Sequence, residues 1–327
     1  MAFEWTTVGA VAVNGVRLGC REAGDPAGTP VLLLHGSGSN ARTWDRFAAR
    51  LSGDGYRAIA VDLRGHGSSG RSGDYSLGAV RDDVLGLLDT LMLRDAVLVG
   101  HSVGAYAAMA ASLEAPERIS RLVLEDLAAP PRGGRTATWP SAEMPPREAR
   151  SVGEAQGAQG HRDAREARSV GEAQDAQRPR DAREVDAMMS ARGALPVEEA
   201  QAGRGGFSVK PGQVIAAVAG ILTMRRDYDL RALASLLRQL SRADSGWWER
   251  LGEVRHPTLV LSGGRASCIP PRRLAEVTGL IEGARMATIP VGHRVHSLAH
   301  ERFTAEVLAF LDEPAAARPA QPEVVGS

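Results

Sequence analysis

The chain has 327 residues, with 39 basic side chains against 39 acidic ones, so its formal net charge is zero and nothing electrostatic points to nucleic acid or an acidic membrane surface. That length can bury a sizeable core, as two average domains or as one large α/β domain carrying an insertion. Two distant cysteines, Cys20 and Cys268, suggest neither a disulfide framework nor a zinc site; with no basic residue before an apolar N-terminal core and no apolar run longer than Val214 to Met224, the expectation is a soluble, cytoplasmic protein.

Val11 to Glu22 carries Asn14-Gly15 between alternating runs, which predicts a hairpin opening a sheet. Val31 to Leu34 is an uninterrupted apolar strand that ends in His35-Gly36-Ser37-Gly38-Ser39, and Asn40-Ala41 starts an amphipathic helix bearing Trp44, Phe47 and Leu51. Tyr56 to Val61 reads as the next strand, followed by the polar loop Asp62 to Ser68, and Leu77 to Leu93 as a long helix.

Ala96 to Val99 is again a short buried strand, and it stops at Gly100-His101-Ser102-Val103-Gly104. Small, helix-favouring residues follow at once from Ala105 to Ala110. A G-x-S-x-G turn between strand and helix permits a strained elbow that lifts the Ser102 hydroxyl out of the sheet edge, with helix amides aimed at the same place. Ser102 is therefore the candidate nucleophile. Arg121 to Glu125 gives another strand, closing with Asp126 and Leu127. Strands alternating with helices imply a doubly wound, mostly parallel sheet with ligands at the strands' carboxyl ends.

The pattern breaks after Pro131. Arg147 to Ala164 is repeated almost verbatim as Arg165 to Ala182, with almost no aromatic or large aliphatic residue, so Thr136 to Arg183 is expected to be a disordered or loosely helical insertion. Val214 to Met224 and Leu230 to Leu240 read as two helices, followed by Trp247-Trp248, and this block has the make-up of a lid. The sheet resumes at Pro257 to Leu261, with a helix over Pro271 to Ile281, a strand over Arg285 to Pro290 and a last helix over Ala299 to Leu311. The expected organisation is a core at 1–130, a cap at 131–250 including the repeat region 136–183, a second core part at 251–314 and a disordered tail at 315–327.

A serine hydroxyl at neutral pH needs a base, and the base an orienting acid. Of eight histidines, His161 lies in the insertion, His256 precedes a strand, His101 adjoins the serine, and His35 and His66 precede it. His293, directly after the last strand, is the candidate base. His296 and His300 share a loosely metal-like spacing with it, but no cysteine accompanies them, and no metal is expected.

Together, HGSGSN at His35, DLRGHGSS at Asp62, GHSVG at Gly100, LVLEDLAAP at Leu122 and IPVGHRVH at Ile289 resemble the α/β-hydrolase superfamily in order and approximate spacing. The resemblance implies an α/β-hydrolase fold with an inserted helical cap, Ser102 as nucleophile, His293 as base, and an oxyanion hole made by the N–H groups of Val103 and Ser37. The usual acid should follow the strand ending at Leu261, where this chain reads Gly263-Gly264-Arg265-Ala266-Ser267-Cys268 and has no carboxylate. Some members carry it after the strand that follows the elbow helix, which points to Asp126, with Glu125 as fallback. Gly36, His101, Trp247 and Trp248 are expected to line the substrate pocket.

The implied activity is a cofactor-independent serine hydrolase acting on an ester, thioester or lactone with an apolar acyl group. Alternatives are a non-catalytic ligand-binding protein on the same fold, an acyltransferase or cyclase, and a carbon–carbon bond hydrolase. Epoxide hydrolases and dehalogenases use an aspartate where this chain has Ser102.

Overall fold

The computed structural model describes residues 3–133 and 227–314; the tandem repeat, the helix expected over Val214 to Met224 and the tail at 315–327 lie outside these residues. The hairpin pairs β1 (Thr7–Val13) with β2 (Val16–Gly24), and Asn14 and Gly15 both take positive φ, 46° and 74°. That turn matches the right-handed twist of the two strands. β2 continues antiparallel onto β4 (Arg57–Val61). From there β3 (Pro30–Leu34), β5 (Ala96–His101), β6 (Ile119–Glu125), β7 (Thr258–Ser262) and β8 (Arg285–Thr288) run parallel.

The eight strands lie in the order β1-β2-β4-β3-β5-β6-β7-β8. After β4 the chain crosses back to the other side of β3, so the winding reverses between β3 and β5. A crevice opens outside the carboxyl ends of strands at such a switch point. The loops His35 to Ser39 and Gly100 to Gly104 meet there.

Strand alternation sorts the core into two layers. Val31, Leu33, Val97, Val99, Leu259 and Leu261 face α1 (Asp45–Gly53) and the C-terminal helix His300–Leu311, against Trp44, Phe47 and Phe303. Leu32, Leu34, Leu98, Leu122 and Leu124 face α2 (Leu77–Thr90) and α3 (Val103–Glu114), against Val84, Leu87, Ala108 and Met109. These residues are buried on both faces of the sheet, which is why their runs show no polar alternation.

The chain re-enters at Asp227 by pairing with the loop after β4. Gly67 N–H donates to Asp227 O at 2.6 Å, Asp229 N–H donates to Gly65 O at 2.7 Å, and the Tyr75 hydroxyl donates to Asp229 at 2.9 Å. Arg231 beside it holds the Asp229 carboxyl well below the usual carboxylate range. α4 (Leu230–Leu240) and α5 (Ser245–Arg250) follow, each opened by an aspartate, Asp229 and Asp244, whose side chain accepts a first-turn N–H. α6 (Pro271–Leu280) precedes β8. The last helix begins as expected, but a separate short helix, α7 (Val295–Leu298), precedes it before α8 (His300–Leu311), because Ala299 leaves the helical region at φ −131°, ψ 50°.

The elbow is held against the sheet by the absence of two side chains. A Cβ on Gly104 would lie 2.2 Å from Leu34 O, and one on Gly100 2.4 Å from Ala105 N. Both obstacles are backbone atoms and cannot swing away. Gly104→Ala is therefore expected to destabilise the protein by about 1–3 kcal/mol or more, read as a fall in melting temperature; an unchanged melt would contradict this packing of α3 on β3.

Candidate active site

Ser102 follows β5 and precedes the first residue of α3, at φ 53° and ψ −111°. A non-glycine residue in that region costs about 1–3 kcal/mol and persists only where its surroundings impose it. Here they do. Ser102 N–H donates to Glu125 O at 2.9 Å, and Ser102 O accepts from Tyr106 N at 3.0 Å and Ala128 N at 3.3 Å. Val103, as the first helical residue, presents an N–H with no carbonyl in its own helix.

β6 ends at Glu125 and is followed at once by Asp126; both carboxylates are fully buried, and each meets a different histidine of the segment after β8. Asp126 takes φ 42°. Its Oδ1 accepts Gly263 N–H at 2.8 Å, and its Oδ2 lies 3.1 Å from His293 Nδ1 and 2.5 Å from Ser267 Oγ. Glu125 instead accepts from His296, through the backbone N–H at 3.0 Å and through Nδ1 at 2.9 and 2.7 Å. His296 Nε2 reaches Thr43 Oγ1 at 2.7 Å on the far side. The structure thus brings Asp126, and not Glu125, to His293.

His293 is about a quarter exposed. Burial works to lower its pKa, but the hydrogen bond to Asp126 and the interaction with the neighbouring Cys268 outweigh it, and the pKa is raised to about 10. With Nδ1 turned to Asp126, Nε2 is the nitrogen left for proton transfer.

His101, expected at the pocket, is 4 % exposed and packs behind the elbow. Its Nε2–H donates to His293 O at 2.8 Å, its ring lies 4.6 Å from that of His293 and 5.1 Å from that of His296, and its Nδ1 would be only 2.5 Å from a Cβ on Gly36. Burial first, and then His293 and His296, push its pKa well down, so the ring is neutral. It braces the His293 segment against the elbow.

His35 and His66 serve a similar end. His35 donates from Nδ1 to Gly36 O at 2.7 Å and accepts Leu63 N–H at Nε2 at 2.9 Å; His66 donates to Arg64 O at 3.0 Å and accepts Gly38 N–H at 3.2 Å. Each ring needs one protonated and one bare nitrogen, so both must be neutral to tie the loop after β3 to the loop after β4. Burial, and then His66, push the His35 pKa down to about 3. The Ser37 hydroxyl on the same loop is buried without a hydrogen-bond partner.

Trp247 stacks on Tyr106 at 6.1 Å and meets Trp248 edge to face at 5.2 Å. Trp248 donates to Pro130 O at 2.9 Å and lies under Arg132. A cavity of about 310 Å³ opens beside Tyr106, one turn along α3 from Ser102, between Leu77, Pro130, Gln239, Arg242 and Asp244.

The sequence profile of the alpha/beta hydrolase fold matches residues 29–299. The chain belongs to the α/β-hydrolase family. The chain is 43% identical over 111 residues to an epoxide hydrolase of Caballeronia sordidicola, a match covering 33% of each protein. It is 27% identical over 290 residues to an sn-1-specific diacylglycerol lipase of Mus musculus, covering 88% of this chain and 82% of that one. The matched part spans about a third of the length of the first curated relatives, three mycobacterial proteins at 38% identity among them. Among solved structures, the enol-lactonase of Burkholderia xenovorans superposes with a TM-score of 0.61 at 23% identity, covering 93% of this chain and all of that one. No helix among the described residues is long and apolar enough to cross a membrane.

Three features of this α/β-hydrolase site escape the sequence reading. Ser267 touches the Asp126 carboxylate, His296 takes Glu125, and His101 ties the His293 backbone. The only signal for the first is that Ser267 sits in the turn where an acid is missing. The other two depend on chain paths 171 and 192 residues apart.

Because the folded state keeps His35 neutral down to about pH 3 while an unfolded histidine takes a proton near 6.5, the unfolded chain binds more protons as pH falls below 6.5. Stability is full above that value and is expected to drop by roughly 1.4 kcal/mol per pH unit below it from this group. Denaturant unfolding between pH 7 and pH 4 measures it, and a flat profile would contradict the buried neutral ring.

Proposed function

We propose that this member of the α/β-hydrolase family is a serine hydrolase that cleaves a carboxylic ester, thioester or lactone through an acyl-enzyme on Ser102. The observation that carries the reading is the pairing of His293 Nδ1 with the buried Asp126 carboxylate in the loop set that holds Ser102 at φ 53°. A serine alone is inert; a base fixed in one tautomer makes it a nucleophile.

In this reading Ser102 Oγ attacks the carbonyl carbon as His293 Nε2 takes its proton. The N–H groups of Val103 and Ser37 receive the oxyanion, and His293 gives the proton to the departing alcohol or thiol oxygen or sulfur. Water then attacks the acyl-enzyme, losing its proton to the same nitrogen; His293 passes that proton to Ser102 Oγ as the carboxylic acid departs, and Ser102 is restored. Atoms and charge balance without a cofactor. The apolar acyl group is carried over from the sequence; Trp247 and Trp248, expected to line the pocket, are instead buried in the core and are not among the residues lining the cavity beside Tyr106.

Intact-mass measurement with a fluorophosphonate tests the class. One adduct per chain is expected on the wild type and none on Ser102→Ala or His293→Ala; a folded wild type that takes no adduct would favour a non-catalytic binding protein. Since His293 must be neutral to accept a proton and its pKa is raised, the labelling rate is expected to climb with pH along a limb above the ordinary histidine value. Cys268→Ala should move that limb to lower pH.

Asp126→Asn is expected to slow the reaction by about 10⁴-fold with the fold intact. Glu125→Gln should act on stability instead, by about 1–3 kcal/mol, since its amide cannot accept from His296 at both oxygens. Rates and melting temperatures of the two variants separate the roles, and the opposite ranking of rates would move the acid to Glu125.

A further inference from the structure

Ser267 lies in the turn between β7 and α6, half-buried, where nothing in the reaction just described uses it. Its Oγ makes three contacts, with Asp126 Oδ2 at 2.5 Å, with the N–H of Ile269 at 3.0 Å and with His293 Nδ1 at 3.4 Å. The Ile269 N–H can only donate, so it occupies a lone pair of the hydroxyl. A hydroxyl has one proton, and the ionised carboxylate is the acceptor that takes it most strongly. The direction is therefore set: Ser267 donates to Asp126.

Asp126 Oδ2 then receives two donors, the Ser267 hydroxyl and the His293 ring, while Oδ1 receives the Gly263 N–H. With the Ser267 donor gone, the carboxylate would be free to turn about the bond to its Cγ, pivoting on the Gly263 contact. Oδ2 would lose its place opposite the ring. We propose that Ser267 is a positioning residue of the reaction, holding Asp126 Oδ2 on His293 Nδ1. This rests on the reading of Asp126 and His293 as acid and base.

The same contacts carry a second consequence. A carboxylate built on the Cβ of residue 267 reaches one bond further than the hydroxyl does, and the hydroxyl already lies 3.4 Å from Nδ1. An acid placed there can take over the ring.

The test uses the full chain and the rate of fluorophosphonate addition, read beside the melting temperature. Ser267→Ala is expected to slow labelling about 10- to 100-fold, and Ser267→Thr, which keeps the hydroxyl, to restore most of the rate. Asp126→Asn/Ser267→Asp is expected to label at least about tenfold faster than Asp126→Asn. A Ser267→Ala protein that labels at the wild-type rate, or a Ser267→Thr protein as slow as Ser267→Ala, overturns the inference. If Ser267→Ala does not fold, the double variant decides, and a rate equal to that of Asp126→Asn overturns it. A wild type that takes no label overturns the hydrolase reading itself, so the two failures are distinct.

Discussion

Two adjacent carboxylates with no exposure to water cannot end a strand unless each finds donors. Leaving one unpaired at Glu125 or Asp126 would cost several kcal/mol. An exposed pair such as Arg46 with Glu301, at 66 % and 86 % side-chain exposure, contributes about 0–1 kcal/mol by comparison. The end of β6 therefore dictates what surrounds it. Asp126 takes Gly263 N–H, Ser267 and His293; Glu125 takes His296 twice and presents its own carbonyl to Ser102 N–H. Three segments, after β5, β7 and β8, are drawn to one point by one dipeptide.

Strand alternation explains why consecutive acids serve different histidines. Neighbouring side chains on a strand leave on opposite faces, and the positive φ at Asp126 turns its carboxylate toward the loop after β7. Glu125 goes to the layer of Trp44 and Phe303, where the His296 ring packs 4.4 Å from Trp44. One acid belongs to the candidate chemistry and the other to the core beneath it.

The fold was legible because its signals are local. Apolar runs with no alternation marked the parallel strands, Asn14-Gly15 the hairpin, and Gly100 and Gly104 the elbow. Strand ends shifted by a residue or two, except that β1 begins at Thr7 rather than Val11. At the candidate site, Ser102 and His293 are proposed from position along the chain, but which of Asp126 and Glu125 reaches His293 depends on a backbone torsion that no residue type announces. The roles of His101, His296 and Ser267 are contacts across distant segments and leave no periodic trace. Their sequence neighbourhoods look like ordinary loops.

The parts of the candidate site are strung out along the chain in an order that has a consequence for its birth. The elbow after β5 and the carboxylates after β6 emerge from the ribosome early, while His293 follows β8, 167 residues behind Asp126. His101 and Glu125 wait as long for their partners on that same late loop. In the proposed reaction, a nascent chain stalled before His293 holds the hydroxyl and the carboxylate but lacks the group assigned to carry a proton between substrate and serine. Under the roles proposed for Ser102 and His293, reactivity is expected to be withheld until the sheet has its last strand, and a truncated product to be inert rather than promiscuous.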